Sequence, residues 1–366
     1  MRNIKQVSPN IGLLEKKYVR ECLDAKWLTE GPFAEKFKAE LKTLTGAKHV
    51  FLISNGTLAL YVSLLALDLP KGSEILVPAF TFMATGSAVV FCGFKPVYYD
   101  VDLRDWHGTI SSAQSLITEN TKAVIPVHIY GSMCDMPRLI DFATANNLYV
   151  IEDAAQAVGV RYSGKHAGTF GNIGVFSFFA DKTITMGEGA AIITNDDEIA
   201  DRVRLIRNQG RPNSGTFIHP SLGMNFRVTD LQCAIGLAQI ERLGEISAIR
   251  SNNYKKYHDS LKDVLSYIEL QNVNAEIHFS PFRFSFTSKF KEKIDSALRL
   301  SGVETRSFFY PLNRQPCMNG ISSGGDCLNA FELYTTGSAL PVHMDLTYSD
   351  IEYVAEVIKT ALMNPK

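Results

Sequence analysis

Between residues 49 and 194 the chain alternates short apolar runs with helical stretches, and this alternation constrains its fold more than any other feature. Residues 49–53 read as a strand, followed by Ser54-Asn55-Gly56-Thr57 and an apolar helix over 58–67. Residues 74–77 form the next strand, stopping at Pro78, and residues 79–85 lead into another helix. Residues 95–101 and 123–128 are further strands, the second leaving Tyr130-Gly131 at its carboxyl end. Residues 136–146 are helical, and the apolar strand 148–151 stops at Glu152-Asp153-Ala154-Ala155-Gln156. Strands and helices in this order indicate an α/β domain with a largely parallel sheet. Ligands of such sheets bind beyond the carboxyl ends of the strands. Gly56, Thr57, Phe82, Asp153 and Gln156 all fall at such ends.

Residues 174–195 add a reactive group. The run 175–179 reads as a buried strand that breaks at Ala180-Asp181 and delivers Lys182 into a loop. Met186-Gly187-Glu188-Gly189 is too glycine-rich for an element interior, and a second strand covers 190–194. A lysine between two strands can lose hydration, and its pKa then falls toward the range where the neutral amine is a nucleophile. Such amines form Schiff bases with carbonyl compounds, pyridoxal phosphate included. On this segment alone, a loop lysine reaching solvent is an equal reading. The turn at 54–57 is similarly open. Strand, small polar turn and helix favour a phosphate through backbone N–H groups and the helix dipole, yet most such turns are N-caps. Phe82 fits either the core or a ring presented to a ligand.

The rest of the chain sets bounds. A length of 366 residues allows one large core and a smaller one. A net charge of −1 gives no signature for nucleic acid or an anionic membrane. The six cysteines are scattered without a C-x-x-C pair and the histidines lack metal-ligand spacing, which favours reduced thiols and no metal site. The N-terminus has no apolar h-region and no run is long enough to span a bilayer, so a cytoplasmic protein is expected. Residues 10–44 read as two helical runs around a turn at 26–32. After 195 the chain reads as helix to about 208, a loop over 210–215, and Gly223-Met224-Asn225-Phe226-Arg227 before a long helix over 229–265, with Gly244 suggesting a kink. The domain boundary is expected in that helix, giving a large domain 1–245 and a smaller α+β domain 246–366. The smaller domain reads as strand 277–286, helix 291–301, loop 308–316, a Gly/Ser-rich loop 321–325 and a closing helix 350–363.

Together these pieces fill each role of a pyridoxal phosphate site. Lys182 supplies the amine. Asp153 supplies the carboxylate that keeps a pyridine nitrogen protonated. Gly56, Thr57 and Ser177 supply a phosphate cup, and Phe82 a ring to pack on the cofactor's face. The chain resembles the DegT/DnrJ/EryC1/StrS family of sugar aminotransferases. The motifs that carry the resemblance are SNGTLAL (54–60), PAFTFMAT (78–85), PVHIYG (126–131), VIEDAAQAVG (150–159), GTFGNIGVFSFFADKTITMGEGA (168–190), GMNFRVTDLQCAIGLAQIERL (223–243) and ETRSFFYPLNRQP (304–316).

The resemblance implies a fold type I aminotransferase: a large α/β domain with a mostly parallel seven-stranded sheet between helices, and a small C-terminal α+β domain. It implies that Lys182 is the Schiff-base lysine and proton shuttle, that Asp153 pairs with the pyridine nitrogen and that Gln156 lies near the ring hydroxyl. Gly56, Thr57 and Ser177 would hold the phosphate, with Phe82 stacking. It further implies a homodimer in which Asn225 reaches the neighbouring subunit's phosphate, and Arg227 near the nucleotide-sugar end. The loop with Tyr310 and Asn313 would approach the sugar. L-Glutamate would be converted to 2-oxoglutarate, and a nucleotide-linked keto sugar would accept the amino group. NGT, PVHIYG and FFYP most resemble the perosamine-synthase branch, which acts at C4 of a GDP-4-keto-6-deoxyhexose. The C4 transaminases of dTDP-4-keto-6-deoxyglucose follow, then the C3 transaminases. Members with histidine in place of the lysine are dehydratases, so Lys182 argues for aminotransfer; a non-catalytic regulatory protein on this fold would predict loss of Lys182 or Asp153, and both are present. Ala190, Met186 and Asn313 depart from the family's usual glycine, threonine and histidine. The last departure leaves the sugar open, and the fate of the product, in O-antigen, another glycan or an antibiotic, is open too.

Overall fold

The structure is a computed structural model that describes residues 2–363 except 214 and 216, so Ser214 of the loop expected over 210–215 lies outside the described residues. In chain order the strands are β1 (His49–Ile53), β2 (Glu74–Pro78), β3 (Lys95–Tyr99), β4 (Thr121–Val124), β5 (Tyr149–Asp153), β6 (Arg161–Tyr162), β7 (Lys165–His166), β8 (Ile173–Ser177), β9 (Ala190–Thr194), β10 (Glu269–Leu270), β11 (Ile277–His278), β12 (Phe284–Thr287), β13 (Arg306–Ser307), β14 (Ser323–Gly324) and β15 (Gly337–Leu340). The main sheet has the order β1-β9-β8-β5-β4-β2-β3-β14. Its pairs are parallel except where β9 meets β1 and β8. Helices cover both faces, so the strands are buried on both sides and read as continuous apolar runs. β5 shows the period of two: Val150 faces the core that contains Phe37 and Phe142, and Ile151 faces the one that contains Leu60 and Val89.

The sheet has one strand more than the seven expected. The addition is β14, in the segment expected as a Gly/Ser-rich loop, which docks parallel on β3. Gly324 makes this possible: at φ +135°, a Cβ there would sit 2.1 Å from the Tyr98 carbonyl oxygen. The strand expected over 277–286 is also divided. β11 pairs with β6, β12 pairs with β15, and between them Ser280 and Phe282 donate to the carbonyls of Gly131 and Tyr130. Gly131 has φ +89°, and a Cβ there would meet Ser280 O at 1.9 Å.

The long helix expected over 229–265 is two helices, Asp230–Glu241 and Leu243–Leu261, followed by a 3-10 turn. The break falls at Arg242, before Gly244. Arg242 is drawn to the buried Glu15 at 2.8 Å and to Glu245 at 3.0 Å, and Gln239 bonds the same Glu15 at 2.7 Å. A second sheet, β10-β12-β15-β13, packs with the helices Lys291–Leu300 and Tyr348–Met363 around Tyr257, Phe284, Phe286, Ile294, Ile351 and Ile358. Ile4 joins this core through a bridge to Val303. Leu312, Met318 and Leu333 instead return to the core of the main sheet. Among the described residues no helix is long and apolar enough to cross a membrane, and no cluster of side chains could hold a metal ion.

Candidate active site

A cavity of about 650 Å³ opens at the carboxyl ends of β5 and β8, and Gly56, Thr57, Phe82, Asp153, Gln156, Ser177 and Lys182 all line it. One wall is the start of the helix Gly56–Ala66. Asn55 caps that helix by accepting from Leu58 N at 3.0 Å. The N–H groups of Gly56 and Thr57 take no hydrogen bond among the described residues. A Cβ on Gly56 would lie 3.1 Å from Ser177 Cβ, so the missing side chain lets the helix end close on the end of β8. Two free amides at a helix N-terminus make an anion cradle.

Asp153, the last residue of β5, is buried. Its Oδ2 accepts from Thr85 Oγ1 at 2.8 Å and its Oδ1 from Ala155 N at 3.2 Å. Burial pushes its pKa up, opposed by those hydrogen bonds and by the charge of Lys182. Gln156 Oε1 accepts from Tyr130 N at 2.9 Å, and Tyr130 holds a left-handed φ of +56°. Ser177 Oγ accepts weakly from Phe179 N at 3.4 Å. Phe82 is 60% exposed and meets Phe309 edge-on at 6.1 Å, so it belongs to the cavity wall and not to the core.

Lys182 faces inward. The exposure of its side chain is only 16%, and its Nζ lies 3.7 Å from Asp181 Oδ1 and 5.1 Å from the centroid of the Phe282 ring. Its backbone N–H closes the turn on Phe179 O at 2.9 Å. Burial lowers its pKa, against the opposing charges of Asp181 and Asp153. The reading of a lysine directed to solvent does not survive this placement.

Four expected residues, Asn225, Arg227, Tyr310 and Asn313, lie outside the cavity of the single chain. Asn225 is exposed and accepts from Arg227 Nε at 3.0 Å, on a strip that also bridges Asn208. It does not cap the next helix, because Thr229 does so with its own hydroxyl and Gln232. Tyr310 rests edge-on against Tyr334 at 5.0 Å. The Asn313 amide donates to the carbonyls of Gly325 and Asp326 at 3.3 and 3.0 Å.

Other residues of the site are not marked by sequence reasoning. Glu152 is fully buried and accepts from the backbone N–H groups of Gly168, Phe170 and Gly171, while pairing with His128 at 2.9 Å. It anchors the loop before β8 behind Asp153. Asp181, Phe282, Arg283, Arg306 and Phe309 also line the cavity. Phe282 and Arg283 fall within the strand expected over 277–286 and Arg306 within the motif at 304–316, but local pattern gives none of them a role at the site.

The chain matches the DegT/DnrJ/EryC1/StrS aminotransferase family over residues 9–359. It belongs to that family. This aminotransferase is 35% identical to GDP-perosamine synthase of Caulobacter vibrioides, with 98% of each chain covered. Among solved structures it superposes with a TM-score of 0.93 on an aminotransferase, TlmJ, from Streptoalloteichus hindustanus, at 26% identity and 99% coverage of both. It also superposes at 0.89 and 26% identity on Escherichia coli GDP-4-keto-6-deoxy-D-mannose-3-dehydratase with bound hydrated pyridoxal phosphate, covering 98% of this chain and all of that one.

The protein is thus a sugar aminotransferase of fold type I that uses pyridoxal phosphate. The cavity fits that cofactor on its own terms: its lining includes a helix N-terminus with free amides and a missing Cβ, a buried carboxylate and an inward-facing amine.

Proposed function

We propose that this aminotransferase moves the amino group of L-glutamate to C4 of a GDP-linked 4-keto-6-deoxyhexose. The observation that carries the reading is an inward-facing lysine, not a histidine, lining the same cavity as the buried Asp153. The likeness to GDP-perosamine synthase supports the sugar and its position. Bound pyridoxal phosphate supplies a carbonyl to carry the amino group and a ring to take up an electron pair. The chain does the rest. Gly56, Thr57 and Ser177 hold the phosphate, Asp153 keeps the ring nitrogen protonated, Gln156 lies by the ring hydroxyl and Phe82 covers the face. Lys182 Nζ takes the proton that leaves the donor's α-carbon and later delivers one to the acceptor carbon. A general base with a lowered pKa suits this work at neutral pH.

The working unit in this reading is a cytoplasmic homodimer of two-domain chains, divided at 245/246. The separate core around Tyr257 and Phe286 supports the division. The loop before Asn225 supports the dimer: Phe217, Ile218, Leu222 and Met224 are all exposed, Leu222 at 96%. A run of bare apolar side chains is the usual mark of an interface. Asn225 then completes the partner's phosphate site, Arg227 meets the nucleotide-sugar end, and Tyr310 and Asn313 border the sugar. The test is incubation with glutamate and a panel of GDP-, dTDP- and UDP-keto sugars, with products read by mass spectrometry and NMR. A GDP-4-amino-4,6-dideoxyhexose is expected. A dTDP product, amination at C3, or loss of a hydroxyl without amination would overturn it.

A further inference from the structure

Asp181 stands next to Lys182 with its two oxygens in different situations. Oδ2 is bonded to Arg283 Nη2 at 2.7 Å. Oδ1 is buried and takes no hydrogen bond among the described residues, with Lys182 Nζ 3.7 Å away, just beyond bonding distance. An unpaired buried carboxylate oxygen is costly. Here it faces an amine that can move toward it. Arg283 cannot easily release its hold, being only 8% exposed in its side chain. Arg250 fixes the preceding backbone by donating to the carbonyls of Pro281 and Phe282. Lys182, Arg283 and Arg250 all lie against the Phe282 ring, at 5.1, 4.8 and 5.9 Å. Asp181 therefore stands among three cations. Asp181, Lys182, Phe282 and Arg283 line both the main cavity and a neighbouring pocket of about 30 Å³.

We propose that Asp181, clamped by Arg283, is a positioning residue for Lys182: Oδ1 receives the amine whenever turnover sets it free. When Nζ takes up the donor's α-proton it becomes an ammonium, and the carboxylate beside it balances that charge while the proton stays on nitrogen. The amine is thereby kept at the cavity wall, instead of resting on Phe282 or folding into the small pocket. This inference rests on Lys182 being the amine that engages the cofactor, and on nothing about which sugar is used.

The test reads the loaded enzyme's visible band, whose change with pH reports the proton on Lys182 Nζ. The charged or titratable groups bordering the amine are Asp153, Asp181, Glu188, Arg283, Arg306 and Tyr130 in the main cavity, with Arg250 and His343 in the neighbouring pocket. Replacing Asp181 by Asn removes one negative charge among these and keeps an acceptor for Arg283. The band's midpoint should move to lower pH by about one unit or more, as expected for a neighbouring opposite charge. Asp181→Glu should return most of the shift. Asp181→Thr, also neutral and able to accept from Arg283, carries the same expectation as Asn if the Asn variant does not fold. A folded neutral variant with an unmoved midpoint, even with a lowered Tm, would mean that Asp181 only ties the turn to Arg283, and the proposal would fail. Lys182→Ala separates the two levels: a band that persists and still titrates in that variant would overturn the lysine assignment itself.

Discussion

The two halves of the site are built differently. Its proposed cofactor half, Gly56, Thr57, Asp153, Gln156, Ser177 and Lys182, converges in one chain: Asp153 and Ser177 end strands of a single sheet, Gly56 and Thr57 open a helix, and Gln156 and Lys182 sit on the short turns that follow β5 and β8. Its other half, the proposed phosphate contact Asn225 and the proposed substrate residues Arg227, Tyr310 and Asn313, sits on loops outside that cavity. Rigid elements place chemistry to within the tolerance it needs, whereas loops place recognition that differs between relatives. The first half should therefore respond to substitution with a loss of chemistry, and the second with changes in affinity and partner dependence.

The largest expected effect is at Lys182. Lys182→Ala should cut transamination by about 10³-fold or more, since both nucleophile and proton carrier are lost. Single-turnover assays of the two half-reactions, run separately, should show both abolished. Retention of either at a normal rate would remove Lys182 from the chemistry. Next comes Asp153→Asn. The Asn side chain can still accept from Thr85, so the fold should hold, with Tm lowered by a few degrees for about 1 kcal/mol. Loss of the charge should lower kcat about a hundredfold. An unchanged kcat would leave Asp153 as a cap for the turn at Ala155, whose N–H it accepts at 3.2 Å.

These two residues are also the most legible in the sequence, for a physical reason. A strand buried on both faces is a continuous apolar run, and the residues just past the run sit at its carboxyl end, where ligands of parallel sheets bind. Lys182 and Asp153 can be placed that way without knowing a single contact. The segments that differ from expectation depend on distant backbone. β14 forms because Gly324 lets residues 323–324 lie against Tyr98, and the strand expected over 277–286 divides because Tyr130 and Gly131 take its middle. The helix break at Arg242 answers to Glu15, far away in sequence. The Asp181–Arg283 pair likewise joins positions 102 apart. A local pattern cannot carry such information.

In the second half, Asn225 tests whether the site is shared. Asn225→Ala should weaken cofactor retention about tenfold, the value of one hydrogen bond to a charged group. The sharper measurement uses mixed dimers of Lys182→Ala and Asn225→Ala chains. If Asn225 acts across the interface, each mixed dimer has one site with both lesions and one with neither, so activity returns on mixing. No return, with each parent still dimeric, would place Asn225 in its own chain's affairs. Its role would then be local, in the hydrogen bonds its Oδ1 accepts from Arg227 Nε and N at 3.0 and 3.3 Å.

The smallest expected effect is at Asn313, and it separates the two substrates. In the single chain its Nδ2 ties the loop at Gly325 and Asp326, while Oδ1 is buried without a partner among the described residues. That loop continues directly from β14's edge position on the main sheet, beside the 308–316 segment. Asn313→Ala would remove the amide donor from the Asp326 carbonyl and leave the Gly325 carbonyl with only Cys327 Sγ, a loss of about 1 kcal/mol. If the segment borders the sugar, the KM for the keto sugar should rise about fivefold, the same 1 kcal/mol read as binding. The glutamate half-reaction, carried by residues of the other half, should proceed at its normal rate. Tyr310→Phe keeps the ring against Tyr334 and removes only the hydroxyl, so it asks whether that hydroxyl meets the sugar, with a change in the same constant and a similar size. Equal damage to both half-reactions in either variant would mean that this loop supports the cofactor cavity as a whole, and that the division between the two halves lies elsewhere.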